Sequence, residues 1–159
     1  NTFLETAKAQ AVDTTCGALA ILDIDYFKTI NDTLGHEAGD RALAKLAKLL
    51  SDLCAPHGHV VARLGGEEFA LLMKGLRGEE AYEFCEAMRE EVEKNGKYLS
   101  ICDVALTISI GVVEIERDEP ISNQLTAADR LLYMAKENGR NRVHTDPILT
   151  QELAVAGRR

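Results

Sequence analysis

The sequence predicts an α+β domain in which helices cover a mainly antiparallel sheet. Three observations indicate this fold class. Residues 16–24 form a nearly continuous apolar run, which is typical of a central strand buried on both faces. Residues 60–73 contain two short apolar runs around a Gly-Gly pair, the pattern of a β-hairpin. Long amphipathic helices are predicted over residues 40–53, 79–95 and 124–138.

The remaining elements follow from the same periodicities. A helix is predicted at 2–13, where apolar side chains recur on one side, and a short helix at 26–34 that ends at Gly35. Alternating apolar residues predict a strand at 104–115, and a last edge strand is predicted at 142–144. This order of elements is compatible with the split β-α-β arrangement of polymerase-palm domains.

Composition limits the classes of function. The 159 residues suit one domain, and because no apolar run is long enough for a membrane span we expect no membrane contact. A net charge of −8 argues against a nucleic-acid-binding protein, which needs a basic surface. The cysteines have no zinc or redox spacing, which indicates a reducing cytoplasm. We expect Cys54 and Cys85 to be buried thiols, and the other cysteines are Cys16 and Cys102.

The chain does not begin with methionine, and we interpret it as a domain from a longer protein with a sensory or regulatory region upstream. We expect the domain itself to span residues 1–146. Residues 147–159 form a predicted C-terminal tail that is either helical or disordered.

The hairpin tip is the most informative stretch for function. Its sequence is Gly65-Gly66-Glu67-Glu68-Phe69, and we expect the glycine pair to form the two-residue turn. Glycines let a ligand approach the backbone closely, and two adjacent carboxylates suit a metal that carries phosphate. Taken alone, the same residues also fit a solvated hairpin tip with solubilising charges.

Two further acids stand at the end of the predicted central strand. Asp23 facing the hairpin tip would supply, with Glu67, two hard oxygen ligands of the kind that Mg²⁺ prefers. A strand buried on both faces does not normally end in an acid that lacks a partner, which favours Asp23 as a ligand. For Asp25 we expect the simpler role of capping the following helix.

Polar residues of the next segment suit a nucleotide. Lys28 could meet phosphate and Asn31 could hydrogen-bond a base edge, although both also fit an ordinary exposed helix. Asp40 occupies an expected N-cap position, but its carboxylate also matches the N1–H and N2–H₂ donors of guanine and pairs badly with adenine. We give His36 a supporting role.

Two cations lie near the end of the last long helix. Lys136 and Arg140 are four residues apart and could hold the outer phosphates together. Favourable interaction with the negative C-terminal end of the helix dipole is an alternative, and both roles are compatible.

Read in order, these pieces form one set of motifs. The set comprises Leu22-Asp23-Ile24-Asp25-Tyr26-Phe27-Lys28, Ile30-Asn31-Asp32, Gly35-His36, Gly39-Asp40, Arg63-Leu64-Gly65-Gly66-Glu67-Glu68-Phe69, Ile108-Ser109-Ile110-Gly111, Ala128-Asp129, Leu132-Tyr133, Ala135-Lys136 and Asn138-Gly139-Arg140-Asn141-Arg142-Val143. From about residue 3 to residue 144 the sequence closely resembles the GGDEF domain of diguanylate cyclases, here in a Gly-Gly-Glu-Glu-Phe form.

The resemblance implies a nucleotidyl-cyclase-like palm fold and the condensation of two GTP molecules into cyclic di-GMP with release of pyrophosphate, in a homodimer. It implies Mg²⁺ or Mn²⁺, with two ions per site. The implied metal ligands are Asp23, the backbone carbonyl of Ile24, and Glu67. The implied guanine-binding residues are Asn31 and Asp40, with His36 close by. The implied phosphate-binding residues are Lys28, Lys136, Arg140, Gly65 and Gly66.

In the same family reading, Glu67 activates the attacking 3′-hydroxyl and Glu68 is its neighbour in the site. Two alternatives stay open. A non-catalytic regulator that binds GTP or cyclic di-GMP would keep the pocket without the turnover. A related cyclase that uses ATP or mixed nucleotides would lack the guanine preference that Asp40 indicates.

The sequence departs from the family at one place. Many members carry an Arg-x-x-Asp product-inhibition site before the hairpin, whereas Pro56 and His59 occupy those positions here. Neither side chain supplies a guanidinium or a carboxylate, so we expect this feedback site to be absent. His57 and His59 could be read as a metal pair, but two incidental loop histidines are the preferred interpretation. The family's usual leader, with an Asp-x-Leu-Thr signature, would lie before Asn1.

Overall fold

A five-stranded mixed sheet with helices on both faces forms the described part of the chain, which comprises residues 17–100, 105–116 and 118–145 of a computed structural model. The strands are β1 (Ala18–Ile24), β2 (Val60–Gly65), β3 (Glu68–Met73), β4 (Ile108–Glu114) and β5 (Val143–Thr145). The helices are α1 (Phe27–Leu34), α2 (His36–Cys54), α3 (Gly78–Lys94), α4 (Gly96–Ser100) and α5 (Ile121–Glu137), and a short 3₁₀ turn covers Ala55–His57.

The sheet has the strand order β2-β3-β1-β4-β5, so β1 lies in its centre. The first four strands pair antiparallel, and β5 alone runs parallel to its neighbour β4. All seven residues of β1 are buried, as its apolar sequence predicts. The predicted α+β class with a mainly antiparallel sheet is therefore confirmed.

The register of β1 positions the acidic end of this strand. Asp23 stands opposite Glu68 on β3 and opposite Ser109 on β4. The first residue of the hairpin's returning strand thus lies beside the last residues of the central strand. Acids that are 45 positions apart in sequence numbering meet because the antiparallel register brings them together.

Alternate residues of β1 belong to two separate cores. Leu22 faces the larger core, which α1, α2 and α3 cover, whereas Leu19 and Ile21 face a smaller core under α5. On that second face α5 lies unusually close to β4. A Cβ at Gly111 would meet the carbonyl oxygen of Ala128 at 2.2 Å, so glycine permits the contact of helix with strand.

Several element boundaries differ from the sequence predictions. Helix α2 begins at His36, not at residue 40, because the chain turns sharply at Gly35 with a φ of 91°. Asp40 therefore lies inside the helix, and its predicted N-cap role is wrong. Helix α5 begins at Ile121, directly after Pro120, whose fixed φ suits a helix start. Strand β4 begins only at Ile108, four residues later than predicted.

Two local features were not predicted. Helix α3 ends at Lys94 with Asn95 as its C-cap residue, and Gly96 begins the short helix α4 instead of stopping the chain. A Cβ at this glycine would lie 2.7 Å from the carbonyl oxygen of Leu106. At the hairpin, Gly65 still pairs with Glu68, so the turn residues are Gly66 and Glu67 instead of the two glycines. A register shift between Arg63 and Gly65 absorbs the extra residue.

Some predictions lie outside the described residues, namely the helix at 2–13, the tail at 147–159 and the states of Cys16 and Cys102. Cys54 and Cys85 are buried free thiols, as predicted. Burial raises the pKa of Cys54 to about 11, so this thiol stays protonated. Among the described helices, none is both long and apolar enough to cross a membrane.

His59 is a buried histidine between the 3₁₀ turn and β2. Its Nδ1 accepts a hydrogen bond of 3.1 Å from the backbone N–H of Lys74, and its ring lies against the rings of His57 and Phe84. Burial lowers the pKa of His59, and the charges of His57 and Lys74 lower it further. A protonated ring would carry a hydrogen on Nδ1 and lose the bond to Lys74, so the fold selects the neutral form.

The neutral form of His59 makes the stability of the fold depend on pH. Because the folded-state pKa of His59 lies below that of an unfolded histidine, about 6.5, the unfolded chain takes up the proton first as pH falls. The stabilisation is fully present above about pH 6.5 and is lost as pH falls through the folded-state pKa. We expect His59→Asn, which keeps an acceptor but cannot titrate, to reduce the loss of stability on acidification.

Urea denaturation midpoints at about pH 7.5 and about pH 5.5 measure this effect. His36→Asn, at an exposed histidine, is the matched control and should behave as the unaltered protein. An identical acid loss in the His59→Asn and unaltered proteins would contradict the prediction.

Candidate functional site

The end of β1, the hairpin tip and the last turn of α5 meet at one place. Asp23 is 5% exposed there, and its Oδ2 accepts a hydrogen bond and ion pair from Nζ of Lys136. Its other oxygen, Oδ1, is buried and has no hydrogen-bond partner among the described residues. An unpartnered buried carboxylate oxygen is costly, and a bound cation would satisfy it.

Negative charge is crowded around Asp23. Burial raises the pKa of Asp23, and the charges of Glu67 and Asp25 add to the increase against the lowering effect of Lys136. Burial also raises the pKa of Glu68, and the negative charges of Asp129 and Asp23 raise it further. Such mutual repulsion of carboxylates is relieved by a cation.

Asp129 was not predicted as a member of this cluster. It lies seven residues before Lys136 on α5, so the two share a helix face that is turned towards the site. The helical spacing was a usable signal, but only the structure shows that this face meets Glu68.

The residues fit a hard divalent cation in part. Among the described residues, no group of three His, Cys, Asp or Glu side chains is arranged to hold a metal ion. Mg²⁺, however, commonly uses one or two protein carboxylates and completes its shell with waters and substrate phosphates. Asp23 with its unpartnered oxygen and the nearby Glu67 supply that number, and Ile24 follows Asp23 in the same strand.

The three predicted phosphate-binding cations differ in their contacts and exposure. Lys136 is the ion-pair partner of Asp23, and Lys28 is exposed on α1. Arg140 lies beyond the end of α5, in a left-handed conformation with a φ of 64°. Its guanidinium lies over the ring of Tyr26, 4.5 Å from the ring centroid, which is a cation–π contact.

The predicted guanine-binding residues lie around the turn from α1 to α2. Asn31 packs against Gly39 so closely that a Cβ there would lie 1.8 Å from Oδ1 of Asn31. Asp40, the next residue, lines a groove of about 230 Å³ between α2 and the hairpin, together with Arg63 and Phe69. His36 is exposed at the first position of α2. The structure therefore places Asn31 against the residue that precedes Asp40, and Asp40 is the one of the three that lines the groove.

Asp25 does not cap α1, and that prediction is wrong. The N-cap residue is Tyr26, which makes no side-chain capping bond. Asp25 is 3% exposed and accepts hydrogen bonds from the hydroxyls of Ser109 (2.6 Å) and Thr107 (2.7 Å) and from the backbone N–H of Asn141 (2.9 Å). These donors are more than 80 residues away in sequence, so no local pattern indicated them.

Comparison with known proteins gives the family. The family model for the diguanylate cyclase GGDEF domain matches residues 1–142. The chain is 39% identical over 127 residues to diguanylate cyclase A of Treponema denticola, which covers 79% of this chain and 34% of that relative. It is 36% identical over 135 residues to an uncharacterised membrane protein of Staphylococcus aureus, covering 83% of this chain and 38% of that protein. The chain thus spans little more than a third of these curated relatives.

Solved structures agree with the family match. The coiled coil and GGDEF domain of DgcB from Caulobacter crescentus, solved with c-di-GMP, superposes with a TM-score of 0.81 at 34% identity over 91% of this chain and 78% of that one. The active GGEEF domain of a diguanylate cyclase from Vibrio cholerae gives a TM-score of 0.78 at 31% identity over 91% and 92%. With a family model that covers most of its length, the chain belongs to the diguanylate cyclase GGDEF domain family.

Proposed function

We propose that this domain is a diguanylate cyclase that joins two molecules of GTP into cyclic di-GMP. In each step the 3′-oxygen of one GTP forms a bond to the α-phosphorus of the other, the bond from that phosphorus to the β-phosphate breaks, and pyrophosphate leaves. The observation that carries the proposal is the cluster of Asp23, Glu67 and Glu68 with Lys136, beside the groove that Asp40 lines.

Asp23, the backbone carbonyl of Ile24, and Glu67 are the proposed ligands of Mg²⁺ or Mn²⁺, with two ions per site. When bound, the ions supply Lewis-acid stabilisation of the triphosphate charge. The unpartnered oxygen of Asp23 and the crowded carboxylates support this assignment.

The protein's own groups would position the phosphates. Gly65 and Gly66 have φ values of 153° and 53°, and a Cβ at either would meet nothing within 4 Å. The glycines are therefore required by the backbone conformation and leave space at the hairpin tip for phosphate oxygens. Lys28, Lys136 and Arg140 are the proposed cations that stabilise charge on those oxygens.

Glu67 is the proposed acceptor of the proton from the attacking 3′-hydroxyl, and Glu68 is its neighbour. Glu67 is a turn residue at the tip, whereas Glu68 is held in the ladder opposite Asp23. The turn position gives Glu67 access to a hydroxyl that arrives from a second molecule of substrate.

Because each domain would hold one GTP, catalysis requires two copies of the domain that face each other. A homodimer is therefore part of the proposed mechanism. The proposed substrate is a cytoplasmic nucleotide, which implies a cytoplasmic location. Nucleic acid is not a proposed partner, given the net charge of −8.

Glu67→Gln keeps the shape of the side chain and removes its charge. We expect formation of cyclic di-GMP to fall at least about 100-fold, since both proton transfer and cation binding are impaired. Incubation of the protein with GTP and Mg²⁺ under enforced dimerisation, followed by chromatography of the products, measures this. Glu83→Gln, at an exposed position of α3, is the matched control.

Absence of cyclic di-GMP from the unaltered, dimerised protein would reject the cyclase proposal. Tight binding of GTP or cyclic di-GMP without any turnover would instead establish a regulatory binding domain. Equal product from the unaltered and Glu67→Gln proteins would remove Glu67 from the mechanism.

Asp40→Asn replaces one of two acceptors by a donor. We expect kcat/KM for GTP to fall by about 10- to 100-fold while the low turnover of ATP stays the same or rises, because the pairing with guanine is lost and the repulsion of adenine is relieved. Asp52→Asn, on the exposed face of the same helix, is the control. An equal loss for both nucleotides would show that Asp40 supports the helix and does not read the base.

The proposed enzyme lacks the product-inhibition site before the hairpin. Pro56 lies in the 3₁₀ turn, and His59 is buried with its Nδ1 bonded to Lys74. We expect added cyclic di-GMP to inhibit only in competition with GTP, so that saturating GTP abolishes the inhibition. Initial rates over a matrix of both concentrations measure this, and inhibition that persists at saturating GTP would contradict it.

A further inference from the structure

Asp25 has no role in the proposed reaction, yet its carboxylate is fully engaged. Its Oδ1 accepts from the hydroxyl of Ser109, and its Oδ2 accepts from Thr107 and from the backbone N–H of Asn141. The residue is 3% exposed, and both carboxylate oxygens have hydrogen-bond partners. These contacts argue against a metal ligand and for an anchor between β1, β4 and the segment after α5.

The anchored segment is the turn at Arg140 and Asn141. Both residues have a left-handed backbone conformation, with φ values of 64° and 46°, which residues other than glycine rarely adopt. Such a turn persists only where surrounding contacts hold it. Arg140 N–H donates to the carbonyl of Ala135 at 3.0 Å, and Asn141 N–H donates to Asp25.

A second brace holds the same turn from α3. The side chain of Asn141 accepts a hydrogen bond of 2.9 Å from Arg89 and donates one to Glu93. Arg89 is itself 13% exposed and paired with Glu86. The turn is thus fixed by its backbone to Asp25 and by its side chain to α3.

The residue after Asp25 completes the arrangement. Tyr26 is also left-handed, with a φ of 56°, and its ring is 61% exposed. The exposed ring lies against the guanidinium of Arg140. One dipeptide therefore contacts the turn twice, through the carboxylate of Asp25 on the backbone and through the ring of Tyr26 on the side chain.

We propose that Asp25 and Tyr26 are positioning residues for Arg140. Asp25 fixes the backbone turn from which Arg140 projects, and Tyr26 fixes the direction of the guanidinium. The catalytic consequence depends on the proposed function, since Arg140 is a proposed phosphate-binding residue. A guanidinium that is held in place before the substrate binds loses less conformational entropy on binding. Asp25 and Tyr26 should therefore lower KM for GTP more than they raise kcat.

The position of Arg140 can be tested without any turnover. A proton above an aromatic ring face has an upfield NMR shift, so the Cδ protons of Arg140 report the stack on Tyr26. We expect the shift to persist in Tyr26→Phe and to vanish in Tyr26→Asn, which removes the ring while tolerating the left-handed backbone. Tyr98→Ala is the matched control, because Tyr98 is similarly exposed and contacts a different cation, Lys45.

The same signal tests Asp25. We expect Asp25→Ala to abolish the upfield shift and Asp25→Asn, which keeps an acceptor for Asn141 N–H, to retain it. If Asp25→Ala fails to fold, Asn141→Gly gives the decision, because it keeps the N–H bond to Asp25 and loses only the contacts to α3. Retention of the shift in Asn141→Gly supports Asp25 as the anchor. Loss of the shift there, or its retention in Asp25→Ala, overturns the proposal.

Kinetics then connect position with catalysis. We expect Tyr26→Asn to raise KM for GTP about 5- to 20-fold with kcat changed less than about threefold, and to add almost nothing in an Arg140→Ala background. A full additional effect in that background would overturn the role through Arg140. If the unaltered protein makes no cyclic di-GMP, the cyclase proposal fails, while the NMR arms still decide whether Asp25 and Tyr26 position Arg140.

Discussion

The burial of the acidic end of β1 is the constraint on which the rest of the site depends. A central strand that is enclosed on both faces ends at Ile24, and the acids on either side of this residue, Asp23 and Asp25, are each at most 5% exposed. A buried carboxylate without partners destabilises the folded state by several kcal/mol, so the surrounding elements must supply partners for both carboxylates. They do so differently, since Asp23 receives one cation, Lys136, and keeps one unpartnered oxygen, whereas Asp25 receives three hydrogen bonds.

This difference separates a functional acid from a structural one within the same short motif. Around Asp23, among the described residues, one ammonium group, that of Lys136, faces the carboxylates of Glu67, Glu68 and Asp129. The negative charge there is not neutralised without a further cation. Around Asp25 the neutral hydroxyl and amide donors complete the shell. Asp23 can therefore exchange partners when a charged ligand binds. Asp25 already has a full set of hydrogen-bond donors and keeps them.

Periodicity in the sequence was sufficient for the sheet and the long helices, because the burial of β1 and the amphipathic faces of α2, α3 and α5 are local patterns. Helix starts were less predictable, since α2 begins after a glycine turn without a capping side chain. The grouping of Asp23 with Glu68 follows from strand register, which the hairpin made foreseeable. The partners of Asp25 were not foreseeable from local patterns, because Thr107 and Ser109 depend on the pairing of β1 with β4, and Asn141 comes from the segment after α5.

Backbone strain points to the same region as the charges do. The non-glycine residues with positive φ in the described chain are Tyr26, Arg140 and Asn141, and all three lie in the two segments that Asp25 joins. Each left-handed residue costs about 1–3 kcal/mol, which the hydrogen bonds to Asp25, the contacts of Asn141 with α3 and the ring contact of Arg140 offset together. A fold that needed only a connection from α5 to β5 could use glycines here. Side chains at these positions carry that cost, and what the turn provides in return is a guanidinium that is directed over the ring of Tyr26.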